Sequence, residues 1–235
     1  MINLEYKGET YELPTKFSEI TLNKYMKIVA LDVKDKPISK LVDILSILTG
    51  LSIDEIKDIS VDQVGAITNH LQFLFKSETK VLIDQVKING KWYGFNKNLH
   101  KIKFGEYIDL EEFSKKEQLS KNLHILMAML YRPLKQRKKS STLHNFIKNY
   151  IYDREKLVKE YEIEKYDENN IMIRADIFKK YMTVDVILGA MFFFIILKRI
   201  YINNLKQSST KKEMMKEVIK YMKASGVNFK PIGVG

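Results

Sequence analysis

The chain has 235 residues, with 40 Lys plus Arg against 29 Asp plus Glu, a formal net charge of +11, no Cys and four Pro. Hydrophobic residues make up 45% and charged ones 29%, which excludes a disordered or collagenous polymer and leaves enough apolar matter for a packed interior. The lack of Cys excludes disulfide frameworks, thiolate-ligated metals and cysteine nucleophiles, and fits a chain made in the cytoplasm.

The N-terminus lacks a basic region followed by an apolar stretch, so no secretory signal is expected there. Asn3–Tyr6 and Thr10–Leu13 read as strands flanking Lys7-Gly8-Glu9, with Gly8 for the left-handed position and Pro14 ending the second strand. Helices are expected from Thr21 to Leu31 and from Ile38 to Leu48, the latter presenting Leu41, Ile44, Leu45 and Leu48 at i, i+3, i+4, i+7 spacing. Gly50 is placed to stop it. Ser52-Ile53-Asp54-Glu55 and Ser60-Val61-Asp62-Gln63 are consecutive capping boxes, predicting a short helix at 54–58 and a longer one at 61–76.

A shift of 82 residues then superposes the chain on itself. Gly8 falls on Gly90, Tyr11 on Tyr93, Ile20 on Ile102, Tyr25 on Tyr107, Leu41 on Leu123 and Leu48 on Leu130, and apolar pairs such as Leu13/Phe95 and Leu22/Phe104 follow without a gap. In the second copy Asn89-Gly90 sits between Val86-Lys87-Ile88 and Lys91–Phe95, the sequence of a two-residue type I′ hairpin. Helices are predicted at 103–113 and 118–131, with Pro133 stopping the second.

Beyond the repeats, residues 135–141 read as an exposed basic loop, 142–165 as a long charged helix, Asp167–Asn170 as a turn, 175–204 as one helix and 210–224 as an amphipathic one. The apolar run Val186–Leu197 is bounded by Asp185 and by Lys198-Arg199 and falls short of the roughly 20 residues that span a bilayer. It reads as a central helix surrounded by neighbours, with Phe192-Phe193-Phe194 also available to face a partner subunit. The expected fold class is therefore α+β, mainly α. A duplicated hairpin–helix unit (residues 1–81 and 82–135) precedes a helical region (136–225) and an extended tail (226–235).

The four His residues, His70, His100, His124 and His144, are too far apart in sequence to ligate a metal from one helix face, and His124 reads as a core or boundary residue. No phosphate-binding loop, dinucleotide fingerprint or hydrolase elbow occurs, and the carboxylates of 160–168 alternate with Lys as a solvated face does. No catalytic residue, metal or cofactor is expected. The densest positive cluster is Arg132, Lys135, Arg137, Lys138 and Lys139, suited to phosphates or to an acidic partner if it is more than a solubilising loop. Only five of the 40 basic residues are Arg, which argues against bidentate reading of bases. The C-terminal residues Phe229, Pro231, Ile232 and Val234 show no period and are candidates for a docking arm, whose deletion with the rest of 227–235 would weaken assembly.

The segments LEYKGETYELP, FSEITLNKYMKI, LSILTGLSIDEI, FGEYIDLEEF and LHILMAMLYRPL resemble small virion or assembly proteins of tailed bacteriophages, in particular crAss-like podoviruses of Bacteroidetes. The resemblance covers about the first 135 residues. It implies a non-enzymatic protein acting through protein–protein contacts in the virion, an oligomeric ring subunit of the head–tail neck or tail made in the host cytoplasm. Its partners would be further copies of itself, the portal and neighbouring neck and tail proteins, with non-specific contact to packaged DNA and no membrane. Two other readings stand beside it: a tail assembly chaperone that leaves the particle, and a Lys-rich DNA-binding protein.

Overall fold

The computed structural model describes residues 2–31, 37–75, 81–97, 99, 102–136, 161–205, 216 and 220. The fold is α+β and mainly α, with the hairpin–helix unit present twice. The first unit comprises β1 (Ile2–Tyr6), β2 (Glu9–Leu13), α1 (Leu22–Val29) and α2 (Pro37–Thr49). It continues into α3 (Ile53–Lys57) and α4 (Val61–His70). The second comprises β3 (Gln85–Ile88), β4 (Lys91–Phe95), α5 (Phe104–Phe113) and α6 (Lys116–Leu130). Each of these second-unit elements overlaps its first-unit counterpart at the 82-residue shift, and β2 and β4 coincide end to end.

The two hairpins share one turn geometry. Lys7 and Gly8 have φ of 49° and 81°, and Asn89 and Gly90 have 45° and 80°. The first turn is thus two residues long rather than three, with Glu9 already paired to Tyr6. Lys7 takes the left-handed conformation that Asn89 adopts more readily.

The chain leaves the two units differently. Gly50, at φ 87°, turns it out of α2 toward α3. α3 begins with a complete capping box in which Glu55 N–H donates to the Ser52 hydroxyl and Ser52 N–H donates to Glu55. At α4 only half of the second box forms. Ser60 accepts from Gln63 N–H, but the Gln63 amide reaches instead to Glu5 O at 3.5 Å, so the helix is tied to the first hairpin. α4 ends at His70 and a 3₁₀ turn, Leu71–Phe75, completes the stretch expected as one helix.

In the second unit α6 passes straight into a strand, β5 (Tyr131–Gln136), so Pro133 lies inside β5 and does not act as a helix stop. β5 pairs antiparallel with β4, and β6 (Glu162–Ile163) pairs with β5, making a four-stranded sheet in the order β3-β4-β5-β6. Glu162 and Ile163 are therefore in a strand and not in a charged helix, and residues 142–160 of that expected helix lie outside the described residues.

The helix expected over 175–204 is two, α7 (Ile171–Tyr181) and α8 (Val184–Leu205). Their break is made by partners remote in sequence. Thr183 bridges Thr21, Leu22 N–H donates to Met182 O at 2.8 Å, and Val184 N–H donates to Ile20 O at 3.0 Å. The first residues of α1 and α8 thus satisfy donors that a helix N-terminus otherwise leaves without a partner. Among the described residues no helix is long and apolar enough to cross a membrane. α8 is buried by neighbours: Phe192, Phe193 and Phe194 lie inside the core, and Phe193 meets Phe95 edge to face at 6.4 Å. Each of the three is 5% exposed or less, so they serve the interior rather than a partner-facing patch.

Two apolar cores result. One gathers the first hairpin, α2, α3 and α4 around Leu4, Leu13, Leu45 and Leu48, and the other gathers the larger sheet with α6, α7 and α8. α1 joins them, placing Leu22 and Met26 in the second core while Ile28 packs against the first. β5 runs across residue 135 and the sheet is completed by β6, so the second unit and the C-terminal region share one interior.

Candidate interaction surfaces and a buried charge cluster

Pairing the repeats position by position isolates one exposed surface. Leu22 and Met26 of α1 are buried where the first unit meets the second core. Their counterparts on α5 are Phe104 and Ile108, one helical turn apart, and these are 77% and 49% exposed. Beside them α5 and α8 enclose a groove of about 310 Å³ including space open to solvent, lined by Leu99, Ile102, Tyr107, Leu110, Phe194 and Leu197. At its lip Lys198 Nζ pairs with Glu111 at 2.9 Å. Ile195, 41% exposed, stands on the α8 bank. The Lys198–Glu111 ion pair is partly solvated and contributes little energy. Burial of aromatic and aliphatic surface is what this face can supply.

The second feature is internal. A helix leaves its last four carbonyls without intrahelical partners, and α6 ends inside the protein. Tyr131 N–H donates to Met127 O, Arg174 Nε to Ala128 O at 2.7 Å, Arg132 Nε to Met129 O at 3.3 Å and Asn96 N–H to Leu130 O at 2.6 Å. All four are satisfied, two of them by guanidinium groups that also complement the helix dipole. Arg132 pairs with Glu106, which also accepts from the Asn96 amide at 3.4 Å, and Tyr166 lies across the guanidinium at 5.3 Å. The Tyr166 hydroxyl donates to Asp109 at 2.5 Å. Burial first, and then the charge of Arg174, lowers the Arg132 pKa to about 10, with Tyr166 opposing, so the guanidinium is still charged at neutral pH beside the Glu106 carboxylate. A second buried pair, Lys97 with Asp84 at 2.6 Å, closes the open end of the β3–β4 hairpin, with the Tyr161 ring 4.6 Å from the ammonium.

The first repeat solves the same problem more simply. Lys24, the counterpart of Glu106, donates directly to Leu48 O at 2.6 Å at the end of α2. Where the first copy caps its helix with a cation on α1, the second places a carboxylate on α5 and recruits Arg132 to the carbonyl.

These contacts revise the basic patch. Arg132 is an interior residue and contributes nothing to a surface cluster. Lys135 is on the surface and pairs with Glu162 at 2.9 Å. Arg137, Lys138 and Lys139 lie outside the described residues, as do Phe229, Pro231, Ile232 and Val234, the expected helix over 210–224 apart from Lys216 and Lys220, and the histidines His100 and His144. The spacing of Arg132 gave no hint of its burial, because Glu106 and Tyr166 lie far from it in sequence. The repeat sets Phe104 opposite Leu22 but carries no sign of which of the two is covered.

His124, on α6, is partly buried, and its Nδ1 has no hydrogen-bond partner. Burial, and then Lys179, lowers its pKa from 6.5, with Asp176 opposing. Because the folded value lies below the unfolded one, its contribution to stability is complete above about 6.5 and is lost as pH falls through the folded value. Urea unfolding at two pH values on either side of that window should show a stability drop on acidification that is smaller in His124→Gln. An equal drop in both would place the titration elsewhere.

Comparison of the chain with protein-family models, curated proteins and solved structures finds no match.

Proposed function

We propose that the chain is a non-enzymatic structural subunit of a bacteriophage particle, an oligomeric ring protein of the head–tail connector or tail that works through protein–protein contacts. The observation that carries this reading is the unequal cover of equivalent faces. Leu22 and Met26 are covered by the second core, whereas Phe104 and Ile108 occupy the same repeat positions and stand 77% and 49% exposed. A neighbouring copy that covers α5 as the second core covers α1 would extend the series. Such a contact is heterologous, and a heterologous contact closes into a ring when its rotation divides a full turn.

Native mass spectrometry and sedimentation of the purified chain test the reading. The wild type should give a closed oligomer of defined copy number, and Phe104→Asp with Ile108→Asp should give a monomer with unchanged helicity, since both side chains are exposed. A wild type that stays monomeric at micromolar concentration would overturn it. The assembly-chaperone reading separates in one measurement, because a chaperone is absent from purified particles and a ring subunit is present at stoichiometric copy number.

A further inference from the structure

The two hairpins differ at one edge, and the better-covered copy shows what the other lacks. In a hairpin closed by a two-residue turn, paired residues alternate between exchanging hydrogen bonds across the ladder and directing their N–H and C=O outward. Tyr6 and Glu9 close the first turn, so Thr10 and Glu12 point their backbone groups away from β1. At the same positions in the second unit Trp92 and Gly94 point outward, and β5 adds there with Arg132 directly opposite Gly94. The first unit has no such strand, because Gly50 diverts the chain into α3. Thr10 and Glu12 are exposed, and among the described residues no backbone hydrogen bond reaches them from outside the hairpin. The opposite edge is occupied: Glu5 O accepts from Gln63 at 3.5 Å, and the Tyr6 hydroxyl donates to Asp58 at 3.2 Å.

We infer that the outer edge of β2 is a docking site for an extended basic strand of a protein partner, which adds antiparallel to Thr10–Leu13 as β5 adds to β4. The charge selects the partner. Glu5, Glu9 and Glu12 are all exposed on this hairpin, so an acidic strand is repelled and one carrying Lys or Arg opposite Glu12 is favoured, at the position Arg132 holds in the second unit. Pro14 stands where Asn96 donates to Leu130 O in the second copy, so the ladder ends at Glu12 and the site accepts a short strand. Main-chain hydrogen bonds supply the affinity and alternate side chains the selectivity, as in other strand-addition sites. The inference goes beyond the ring reading and does not rest on it, since β2 and the Phe104 face belong to different repeats.

The test uses the full ¹⁵N-labelled chain and a synthetic peptide of residues 129–137, MLYRPLKQR, which contains β5 itself. The peptide should protect the Thr10 and Glu12 amides from exchange. It should bind Glu12→Pro, which removes the outward N–H, and Glu12→Lys, which reverses the charge, at least tenfold more weakly. Glu12 is exposed, and circular dichroism checks that both variants keep the fold. A peptide carrying Arg132→Glu, Lys135→Glu and Arg137→Glu should not bind. Equal affinity for wild type and Glu12→Pro, binding of the acidic peptide, or no binding of either peptide would overturn the inference. So would peptide-free dimerisation that Glu12→Pro abolishes, which would assign the edge to a second copy of the chain.

Discussion

Glu106→Ala should destabilise the chain by about 3–5 kcal/mol, the range for removing one member of a buried ion pair. Three consequences act together. Arg132 loses its counter-charge while its side chain remains only 6% exposed, Asn96 loses an acceptor, and the group that donates to Met129 O at the end of α6 is no longer held. Exposed pairs such as Lys135–Glu162 should contribute less than about 1 kcal/mol when broken, so the contrast separates interior from surface electrostatics. The double variant Glu106→Leu with Arg132→Met removes both charges and should recover much of the loss, leaving mainly the orphaned Met129 carbonyl, at about 1–3 kcal/mol. Chemical denaturation of the wild type, Glu106→Leu, Arg132→Met and the double variant closes a cycle, with Glu106→Ala measured beside it. A double variant no more stable than Glu106→Ala would mean that the cost comes from packing and carbonyl capping rather than from an unpaired charge.

This cluster also marks where sequence reading stops. Asn89-Gly90 announces a hairpin because its two residues favour the conformations the turn needs, and Leu41, Ile44, Leu45 and Leu48 announce a helix because their spacing makes one face. Both signals are local. β5 has none, since Tyr131–Gln136 contains a Pro and two cations and lacks apolar alternation. It is a strand because β4 and β6 flank it and because α6 is terminated by Arg174, whose Nε lies 2.7 Å from Ala128 O. The break between α7 and α8 is similar. Nothing near Met182-Thr183 forbids a continuous helix, and the bridge to Thr21 decides against it. The repeat was the one long-range signal in the sequence, and it aligned Leu22 with Phe104 without saying that only Leu22 is covered. Arg132 shows the reverse error: charge density places it on a surface, and the Glu106 carboxylate on α5, 26 residues earlier, takes it inside.

Gly189→Ala should destabilise by about 1–3 kcal/mol, against the usual preference of a helix interior for Ala by about 1 kcal/mol. Gly189 lies in α8 where the segment leading to β3 crosses the helix, and a Cβ there would run into the Val81 carbonyl and stand 3.3 Å from Leu82 Cα. The obstructing atoms are backbone, so no rotamer change relieves them. The segment must lift from α8 or the helix must shift. Lifting it pulls on Asp84, which holds Lys97, and on Ile83, whose carbonyl accepts from the buried Tyr131 hydroxyl at 2.7 Å. The clash therefore spreads to the sheet. Gly65 provides the control, since it is exposed in α4 and a Cβ there meets nothing within 4 Å. Gly65→Ala should stabilise by about 0.5–1 kcal/mol through helix propensity alone. Denaturation midpoints of the two variants should move in opposite directions. A Gly189→Ala chain as stable as the wild type would show that the crossing segment has room to retreat, and that the second unit does not depend on its contact with α8.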